Sequence, residues 1–577
     1  MKGSLMKKKN NMTAITGLLP AGLILLMMAG IRHLDDARKG AAESTDLWLV
    51  RNYMVLLAVT MLLVLVAGVL LYAGRLNKTE WKPLRLETIY LPVILGFGAL
   101  YLTVLPPLSA PDEVSHYISA YQLSNHMLGQ AANYRTGHVL IREEDWFIED
   151  VDGVYEYLID ENGYLVTVSH EPGGEAVGAE AGDKAQARVH GQTLTEETYR
   201  MIHDKGILSK AAAATQGNGM AVSVYPPVVT TPLVYIPQAL GISLARVLGL
   251  GSLGLLYLGR IFNLLAFAAV SYAAIRRMPF SKEVLFGVSL LPMSLHLIAS
   301  LSYDSVIMAG IFLFAAQCFY LAFEKEQVRI PDILLLAVVM AVVGPCKMVY
   351  AVFMGLCLLI PVKKFGGWKW WALSAACVLG AWGIMMLAVN SQTIATYAGE
   401  TDSYVAWAEE AGFSLTMLLQ SPRLLMKMFY NTVVWQAEYY HLTMIGAYLG
   451  NVDVILEIPY LMVLLFTGGL LALSFRKPGE TLLLTGGKRI WIWVLCGSCT
   501  FALMLSMLIA WTPLSAVVIA GVQGRYFLPF LPVLLMSVKN DLIVLTKNAD
   551  RSILYLMCCA NAYILIRLFG IVCLRIG

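Results

Sequence analysis

Residues 52–73 read NYMVLLAVTMLLVLVAGVLLYA, an apolar run without a charged side chain. About 20 such residues are enough to cross the hydrocarbon core of a bilayer as one helix. Of the 577 residues, 58% are hydrophobic and 14% are charged, whereas soluble globular proteins have about 45–50% and about 25%. This composition excludes an ordinary soluble enzyme, a secreted disulfide scaffold and a disordered regulator. It predicts an all-α polytopic membrane protein.

Further apolar runs along the chain predict about 13 transmembrane helices. The runs lie at 14–31, 52–73, 89–107, 252–275, 284–300, 304–323, 330–345, 347–362, 370–390, 455–475, 490–511, 526–538 and 551–573. The first run follows three lysines but lacks a small-residue cleavage pattern. We therefore interpret it as a retained anchor and not as a signal peptide.

Short basic loops separate many of the runs and set the orientation of the chain. The positive-inside rule places these loops and the N-terminus in the cytoplasm. Between residue 108, which then lies outside, and the basic pair Arg276–Arg277, an odd number of crossings is required. Two apolar stretches occupy this interval, and four prolines interrupt the first of them, 225–248. We therefore predict an interfacial or re-entrant helix at 225–248 and a true span at 252–275.

The segment 108–222 is the one large polar part of the chain. Its Asp and Glu outnumber its Lys and Arg by more than two to one, which is typical of an external loop. Alternating residues around Asn162-Gly163 predict a β-hairpin, and Thr193-Leu-Thr-Glu196 predicts the start of a short helix that reaches about Ser209. The loop is therefore expected to have mixed α/β character, although no role can be given to 135–215.

These patterns divide the chain into four parts. They are an additional N-terminal transmembrane hairpin (1–88), a first core span (89–107), an external loop with interfacial helices (108–251) and a transmembrane core (252–577). The net charge of +3 is too small to indicate a nucleic-acid partner. The nine cysteines all lie in or beside apolar runs, so they indicate packing and not a disulfide framework.

A pair of acids follows the first core span. Asp112 and Glu113 come directly after Pro111, at the predicted start of a helix, and His116 lies one turn further along. Carboxylates favour a helix N-terminus, so a simple cap is one interpretation. The alternative is a general base or a cation site at the membrane surface.

Four more charged residues lie at the predicted external ends of spans. Asp304 follows Ser300-Leu-Ser-Tyr, Lys347 lies between two apolar runs, and Arg525 precedes a late span. Arg260 lies near the outer end of its helix. A helix cap for Asp304 and snorkelling of Lys347 are the structural alternatives. External cations oppose the positive-inside bias, however, so an anionic partner such as a phosphate explains them better.

Five motifs together resemble the DUF2142 family of predicted bacterial membrane proteins. They are Pro-Asp-Glu-x-x-His at 111–116, Tyr-Pro-Pro at 225–227, Gly-Arg-x-x-Asn at 259–263, Ser-x-Ser-Tyr-Asp at 300–304 and Val-Gln-Gly-Arg-Tyr-Phe-Leu-Pro at 522–529. The resemblance extends over roughly residues 89–575. That family looks related to the GT-C glycosyltransferases, which include protein O-mannosyltransferases and aminoarabinose transferases.

The resemblance implies a GT-C-like fold and a sugar donor carried on polyprenyl phosphate. It implies a bacterial cytoplasmic membrane, with the large loop extracellular or periplasmic. Asp112, with Glu113 beside it, matches the catalytic acid of the first external loop, and Asp304 matches the acid of the second. Lys347 matches the lysine that contacts lipid phosphate, and Arg525 matches an arginine before a late span.

The leading hypothesis is an inverting glycosyltransferase that modifies a cell-envelope glycan or polymer. Asp112 or Glu113 deprotonates the acceptor, and His116 and Asp304 position it. The phosphate is held by Lys347, Arg525 and, more weakly, Arg260. A divalent cation, Mg or Mn, on Asp112, Asp304 and His116 is left open. The alternative is a transporter or flippase of lipid-linked or polymeric glycan, which predicts charges at mid-membrane depth and inverted repeats.

Overall fold

The chain is described by a computed structural model, and all structural statements below concern the residues whose placement it defines. These are 26–32, 34–35, 38, 47–72, 84–134, 137–142, 144–145, 155–159, 165–169, 177–178, 196–211, 220–223, 226–398, 404–405, 407–452, 456–481 and 484–574.

Helices dominate this part of the chain. The α-helices are α1 (Leu47–Tyr72), α2 (Leu86–Val104), α3 (Glu113–Met127), α4 (Glu196–Lys205), α5 (Ile236–Val247), α6 (Ser252–Arg277), α7 (Lys282–Ser289), α8 (Pro292–Ile298), α9 (Asp304–Phe323), α10 (Ile330–Val343), α11 (Trp368–Ala398), α12 (Leu415–Gln420), α13 (Pro422–Ile445), α14 (Tyr460–Ser474), α15 (Gly486–Trp511), α16 (Leu531–Val538) and α17 (Asp550–Leu574). Helices of the 3₁₀ type cover Pro232–Tyr235, Met348–Leu359, Val362–Phe365 and Gly524–Phe527.

Seven of these helices are long and apolar enough to cross a membrane, namely α1, α2, α6, α9, α11, α15 and α17. Three further apolar helices, α10, α14 and Met348–Leu359, are shorter. The prediction of an all-α membrane protein with several spans is confirmed at this level. The described residues support seven full-length spans and not 13, and the run 14–31 lies largely outside them.

Two of the predicted spans are interrupted by proline. The run 284–300 forms α7 and α8, because Leu291 is extended before Pro292, as residues before proline usually are. The run 526–538 forms a 3₁₀ turn and the short helix α16, which has a proline in its first turn. Conversely, the 24-residue helix α13 is absent from the predicted spans, because its charged residues break the apolar pattern.

The polar segment after α2 contains the predicted secondary structure. Strands β2 (Tyr155–Ile159) and β3 (Leu165–Ser169) pair antiparallel, which confirms the hairpin, while its Asn162-Gly163 turn lies outside the described residues. The remaining strands are β1 (Leu140–Arg142), β4 (Val177–Gly178), β5 (Met220–Val222), β6 (Tyr404–Val405) and β7 (Glu410–Ala411). The predicted helix is α4, which ends at Lys205 and not near Ser209.

The proline-interrupted stretch 225–248 forms a 3₁₀ turn and α5. With 12 residues, α5 rises about 18 Å, less than the roughly 30 Å hydrocarbon core. It lies against α6 at short range, since a Cβ on Gly241 would stand 2.3 Å from the Leu258 carbonyl oxygen. Its length therefore agrees with the prediction that this stretch does not cross.

Buried ion pairs join several helices at one end of the bundle, which we call the far end. Lys477 has a fully buried side chain, and its Nζ lies 2.8 Å from Glu283 Oε1 and 3.0 Å from Asp550 Oδ1. Lys539 approaches Glu283 and donates to Glu480 at 3.0 Å. These contacts fasten the start of α7 and of α17 to the segments that follow α14 and α16.

The opposite end, which we call the site end, contains the C-terminus of α2 and the N-termini of α6 and α9. The helix α6 is central there, because it packs against α2, α5 and α9. Its buried Arg260 and Asn263 contact the segments that lead into α3 and α9.

Candidate functional site

The turn between α2 and α3 has an uncommon backbone conformation. Leu108 and Asp112 both have positive φ, at +66° and +58°. Leu108 is buried and lacks the short polar side chain that eases this conformation, so surrounding contacts must hold the turn. As a result Asp112 points outward, with a side chain that is 58% exposed, while the next residue points inward.

Glu113 and Arg260 supply the contacts that hold this turn. The Glu113 carboxylate accepts hydrogen bonds from the backbone N–H of Ala110 at 3.0 Å and of Leu301 at 2.8 Å. Arg260 Nε lies 3.6 Å from the same carboxylate, and both side chains are fully buried. Glu113 therefore joins the turn before α3 to the loop before α9.

The guanidinium of Arg260 is fully engaged in the same junction. It donates to the carbonyl oxygens of Leu102, Leu105 and Ala299, at 3.3, 2.7 and 2.6 Å. These contacts leave it no exposed face for a lipid phosphate. Arg260 and Glu113 are thus placed to hold the turn, and neither buried side chain is exposed to a lipid phosphate or an acceptor hydroxyl.

The loop before α9 is held by a second set of buried hydrogen bonds. Asn263 Nδ2 donates to the Ser300 carbonyl at 2.7 Å, and its Oδ1 accepts from Ser305 Oγ at 2.8 Å and from Gln238 Nε2 at 3.0 Å. Ser302 Oγ accepts from the backbone N–H of Asp304. The Ser-x-Ser-Tyr-Asp and Gly-Arg-x-x-Asn motifs are thus the two sides of one junction, which fixes Asp304 at the site end.

Two acids and two cations alternate in a row at this end of the bundle. Arg525 Nη2 donates to Asp112 Oδ2, and Arg525 Nε lies 3.7 Å from Asp304 Oδ2. Lys347 Nζ donates to the other oxygen of Asp304 at 2.8 Å. We call Asp112, Arg525, Asp304 and Lys347 the charge row. The structure therefore brings together four of the residues that the sequence placed at external helix ends.

Arg525 is held in place by close backbone packing. A Cβ on Gly524 would stand 1.9 Å from the Tyr440 carbonyl oxygen of α13, so only glycine fits. The Gly524 N–H donates to Thr443 Oγ1 at 2.8 Å, and Arg525 Nη1 donates to the Pro111 carbonyl at 3.2 Å. The Arg525 side chain is 2% exposed, and its Nε has no hydrogen-bond partner. The Nε–H group therefore faces Asp304 at ion-pair distance without donating a hydrogen bond to it.

Tyrosines that the sequence interpretation did not single out surround the charge row. The Lys347 ammonium lies 3.9 Å from the ring centroid of Tyr526 and 5.5 Å from that of Tyr303, which are cation–π distances. The Tyr526 carbonyl accepts a hydrogen bond from Tyr350. Both rings adjoin charged residues in the sequence, at Tyr303-Asp304 and Arg525-Tyr526, and this adjacency was the available signal.

His116 lies beside the row, but it is not in contact with a carboxylate. Its Nδ1 shares a hydrogen bond of 2.7 Å with the Tyr235 hydroxyl, and its ring packs edge-on against Tyr303 at 4.5 Å. Burial lowers the pKa of His116 to about 4, although the Asp112 and Asp304 charges act in the opposite direction. The imidazole is therefore neutral near pH 7.

The pKa values of Asp112 and Glu113, the two acids at the start of α3, are shifted in opposite directions. For Asp112, desolvation acts to raise the pKa, but Arg525 and the other positive groups lower it to about 2. For Glu113, desolvation is dominant and raises the pKa, while Arg260 and backbone N–H groups oppose the rise. Asp112 is thus the accessible carboxylate of the pair, and Arg525 favours its ionised form.

The arrangement does not fit the divalent cation that the sequence left open. Within the described residues, no three His, Cys, Asp or Glu side chains converge as a metal site. Lys347 and Arg525 already neutralise the two Asp304 oxygens, and His116 Nδ1 is bound to Tyr235. Asp112, Asp304 and His116 therefore do not present a free ligand set.

The comparison with protein families now bears on this site. Residues 95–534 match the model of DUF2142, described as a predicted membrane protein. The chain belongs to the DUF2142 family. The match contains all four residues of the charge row, the Glu113–Arg260 junction and α13. No curated protein and no solved structure matches the chain. The helices α1 and α17 lie outside the DUF2142 match.

Proposed function

We propose that this DUF2142 protein is a glycosyltransferase that uses a polyprenyl-phosphate-linked sugar. It acts at the outer face of a bacterial cytoplasmic membrane, modifies a cell-envelope glycan or polymer, and inverts the anomeric configuration. In this proposal the site end faces outward, and the basic loops of the far end face the cytoplasm.

The charge row is the observation that carries the proposal. Lys347 and Arg525 each approach one oxygen of Asp304. The accessible carboxylate, Asp112, contacts Arg525 and lies at the opposite end of the row from Lys347. Charged groups at a membrane boundary are costly unless they face water or a partner. A donor phosphate satisfies the cations of the row, and an acceptor hydroxyl that is to be deprotonated satisfies Asp112.

The chemistry is a single displacement. Asp112 takes the proton from an acceptor hydroxyl, and the oxygen of that hydroxyl bonds to the anomeric carbon of the donor sugar. The bond from that carbon to the phosphate oxygen breaks at the same time, and polyprenyl phosphate leaves with the bonding electrons. Arg525 and Lys347 stabilise the negative charge that builds up on the phosphate.

The resting contact between Arg525 and Asp112 gives this reaction an order. While Arg525 is bound, the low pKa of Asp112 makes it a weak base. A donor phosphate that binds Arg525 competes with Asp112 for the guanidinium, so the pKa of Asp112 rises. The base therefore becomes effective when the donor is in place.

Membrane-facing surface beside Lys347 supports a lipid-linked donor. The 3₁₀ helix Met348–Leu359 begins directly after Lys347 and rises about 24 Å towards the far end. A cavity of about 280 Å³ lies between this helix, α10 and α11, with a lining that includes Leu336, Leu358 and Val378. A hydrocarbon chain whose phosphate lies at Lys347 would follow this path.

The transport alternative has less support. A translocation path requires acids and cations through the middle of the membrane. In the described ranges the buried ion pairs lie at the site end or at the far end, as with Glu113–Arg260 and Glu283–Lys477.

The proposal is tested by mass spectrometry of cell-envelope glycans from cells with and without the gene. Restoring the gene with the wild-type sequence should restore one glycan modification, and Asp112→Asn should not, at equal protein abundance. Asp541→Asn, which alters a carboxylate near the far end that is 67% exposed, is the matched control and should restore it. Full modification with Asp112→Asn would refute the assignment of the base.

A further inference from the structure

A large apolar cavity lies beside the site end, away from the charge row. Its volume is about 890 Å³, and α1, α4 and the site ends of α2, α6 and α17 line it. We call it the α1 chamber. Its walls include Val55 and Val59 of α1, Ile261 of α6 and Phe569 of α17. Because α1, α2, α6 and α17 are candidate spans, these walls are at membrane depth.

The α1 chamber is open on one side, since Val55 and Val59 in its wall are 57% and 46% exposed. The helix α4 lies over its site end, where the Tyr199 hydroxyl donates to the Val104 carbonyl and the Tyr199 ring packs against Phe569 at 5.6 Å. Polar groups are found at this end, with Asn52 in the first turns of α1 and His203 on α4, whose ring lies 5.0 Å from Trp48. An apolar body with a polar end matches one hydrocarbon chain attached to a polar head.

The chain connects the chamber to the base and not to the phosphate ligands. Val104 lines it, and the segment 105–111 leads from there directly to Asp112. Tyr257 also lines it, 5.7 Å from the Arg260 guanidinium that holds this segment. Lys347 and the cavity beside α11 are formed by segments of the chain that do not line the chamber. In a displacement with inversion, the acceptor attacks the face of the sugar opposite to the leaving group.

We propose that the α1 chamber binds the hydrocarbon anchor of a lipid-linked acceptor glycan. This inference rests on the proposed function. The donor chain lies along Met348–Leu359, and the acceptor chain enters from the opposite side, next to Asp112. Phe569 and the α1 wall of the chamber lie outside the DUF2142 match, whereas α4 and the lining residues of α6 lie inside it.

Binding is tested by photolabelling of the full chain in phosphatidylcholine nanodiscs that contain a diacylglycerol with a diazirine in its acyl chain. Mass spectrometry should find labels on Val55 and Val59 above the level on Ile384 of α11, which is 69% exposed. Ile261→Trp places an indole in the chamber lining and takes up part of its volume, and displacing even one methylene lowers occupancy about fourfold. Leu265→Trp, one turn further on α6 and outside the lining, is the matched control.

Equal labelling of chamber and α11 positions, or labelling unchanged by Ile261→Trp, would overturn the binding site. The acceptor role is tested on the glycan that depends on the gene. That product should extract with lipids, and its amount should fall with Ile261→Trp but not with Leu265→Trp. A water-soluble product without an anchor would overturn this role. If no glycan depends on the gene, the proposed function fails, and the labelling still decides whether the chamber binds a hydrocarbon chain.

Discussion

Arg525 donates a hydrogen bond to Asp112, although the two residues are 413 positions apart in the chain. Arg525 is buried and fixed against α13 through Gly524, whereas Asp112 is exposed at the end of a strained turn. The rigid cation therefore orients the accessible acid. This relationship makes the site sensitive to the shape of the cation as well as to its charge.

Arg525→Lys should lower glycan transfer by about 100-fold, a loss typical of removing one donor that stabilises developing charge. Lysine keeps the charge but has no planar fork that can contact Asp112 and a phosphate together. The measurement is transfer into cell-envelope glycans at matched protein abundance. Arg423→Lys, at an exposed position of α13, is the control and should retain full transfer. Equal activity of the two variants would contradict the role of Arg525.

Glu113→Gln should lower the free energy of unfolding by about 3–5 kcal/mol, because it leaves the buried Arg260 without a counter-charge. Thermal unfolding in detergent measures the loss. Combining Glu113→Gln with Arg260→Met should cost less than the sum of the single changes, because the two side chains form one unit. Additive losses would show that the two side chains do not form one unit. A stable Glu113→Gln variant without transfer would indicate a chemical role for Glu113 instead.

His116 should make stability depend on pH between about 6.5 and 4. The imidazole has a pKa near 6.5 in the unfolded chain and about 4 in the folded protein. In this range the unfolded state binds a proton that the folded state does not. Stability therefore falls as the pH falls, by at most about 1.4 kcal/mol per pH unit.

The comparison of wild type with His116→Gln isolates this contribution. Glutamine retains a hydrogen-bonding group for Tyr235 and does not titrate, so the variant should show a smaller slope of melting temperature against pH. His126→Gln, which replaces an exposed histidine on the same helix, should keep the wild-type slope. Parallel curves for wild type and His116→Gln would show that His116 is not buried in the neutral form.

Chelation of divalent cations should leave transfer unchanged, because Lys347 and Arg525 occupy the Asp304 oxygens and supply the positive charge. Transfer is measured in membranes before and after EDTA treatment, and again after Mg²⁺ or Mn²⁺ is added back. Loss with EDTA and recovery with either ion would mean that the carboxylates exchange their cationic partners for a metal.

Sequence alone predicted much of the fold, because a membrane span is a local property. Runs such as 304–323 are long, apolar and uninterrupted, and they form full-length helices. The short helices α7 and α8 were predicted as one span, since the effect of Pro292 depends on whether neighbouring helices satisfy the freed backbone groups. The polar helix α13 has no apolar signature, because much of its support comes from tertiary contacts such as that with Gly524.

The candidate site was predictable in composition but not in geometry. The positive-inside bias identified the external cations Lys347 and Arg525, and the cost of inserting an acid identified Asp304. The structure places these three in contact. The sequence did not show that Asp112 is exposed while Glu113 is buried. This difference depends on the positive φ of Asp112 and on the Leu301 N–H, which lies 188 residues from Glu113 in the chain. Arg260 and Arg525 both follow glycine, and only tertiary contacts show that Arg260 is bound to buried carbonyl oxygens while Arg525 contacts the exposed Asp112.

The charge row carries two negative and two positive groups, so it has no net charge. Its electric field consequently decays over a few ångströms, faster than that of a single ion, and gives little long-range steering to a charged molecule in solution. If the donor is lipid-linked as proposed, its encounter with the site occurs by two-dimensional diffusion within the bilayer, and the rate should respond to membrane fluidity more than to ionic strength.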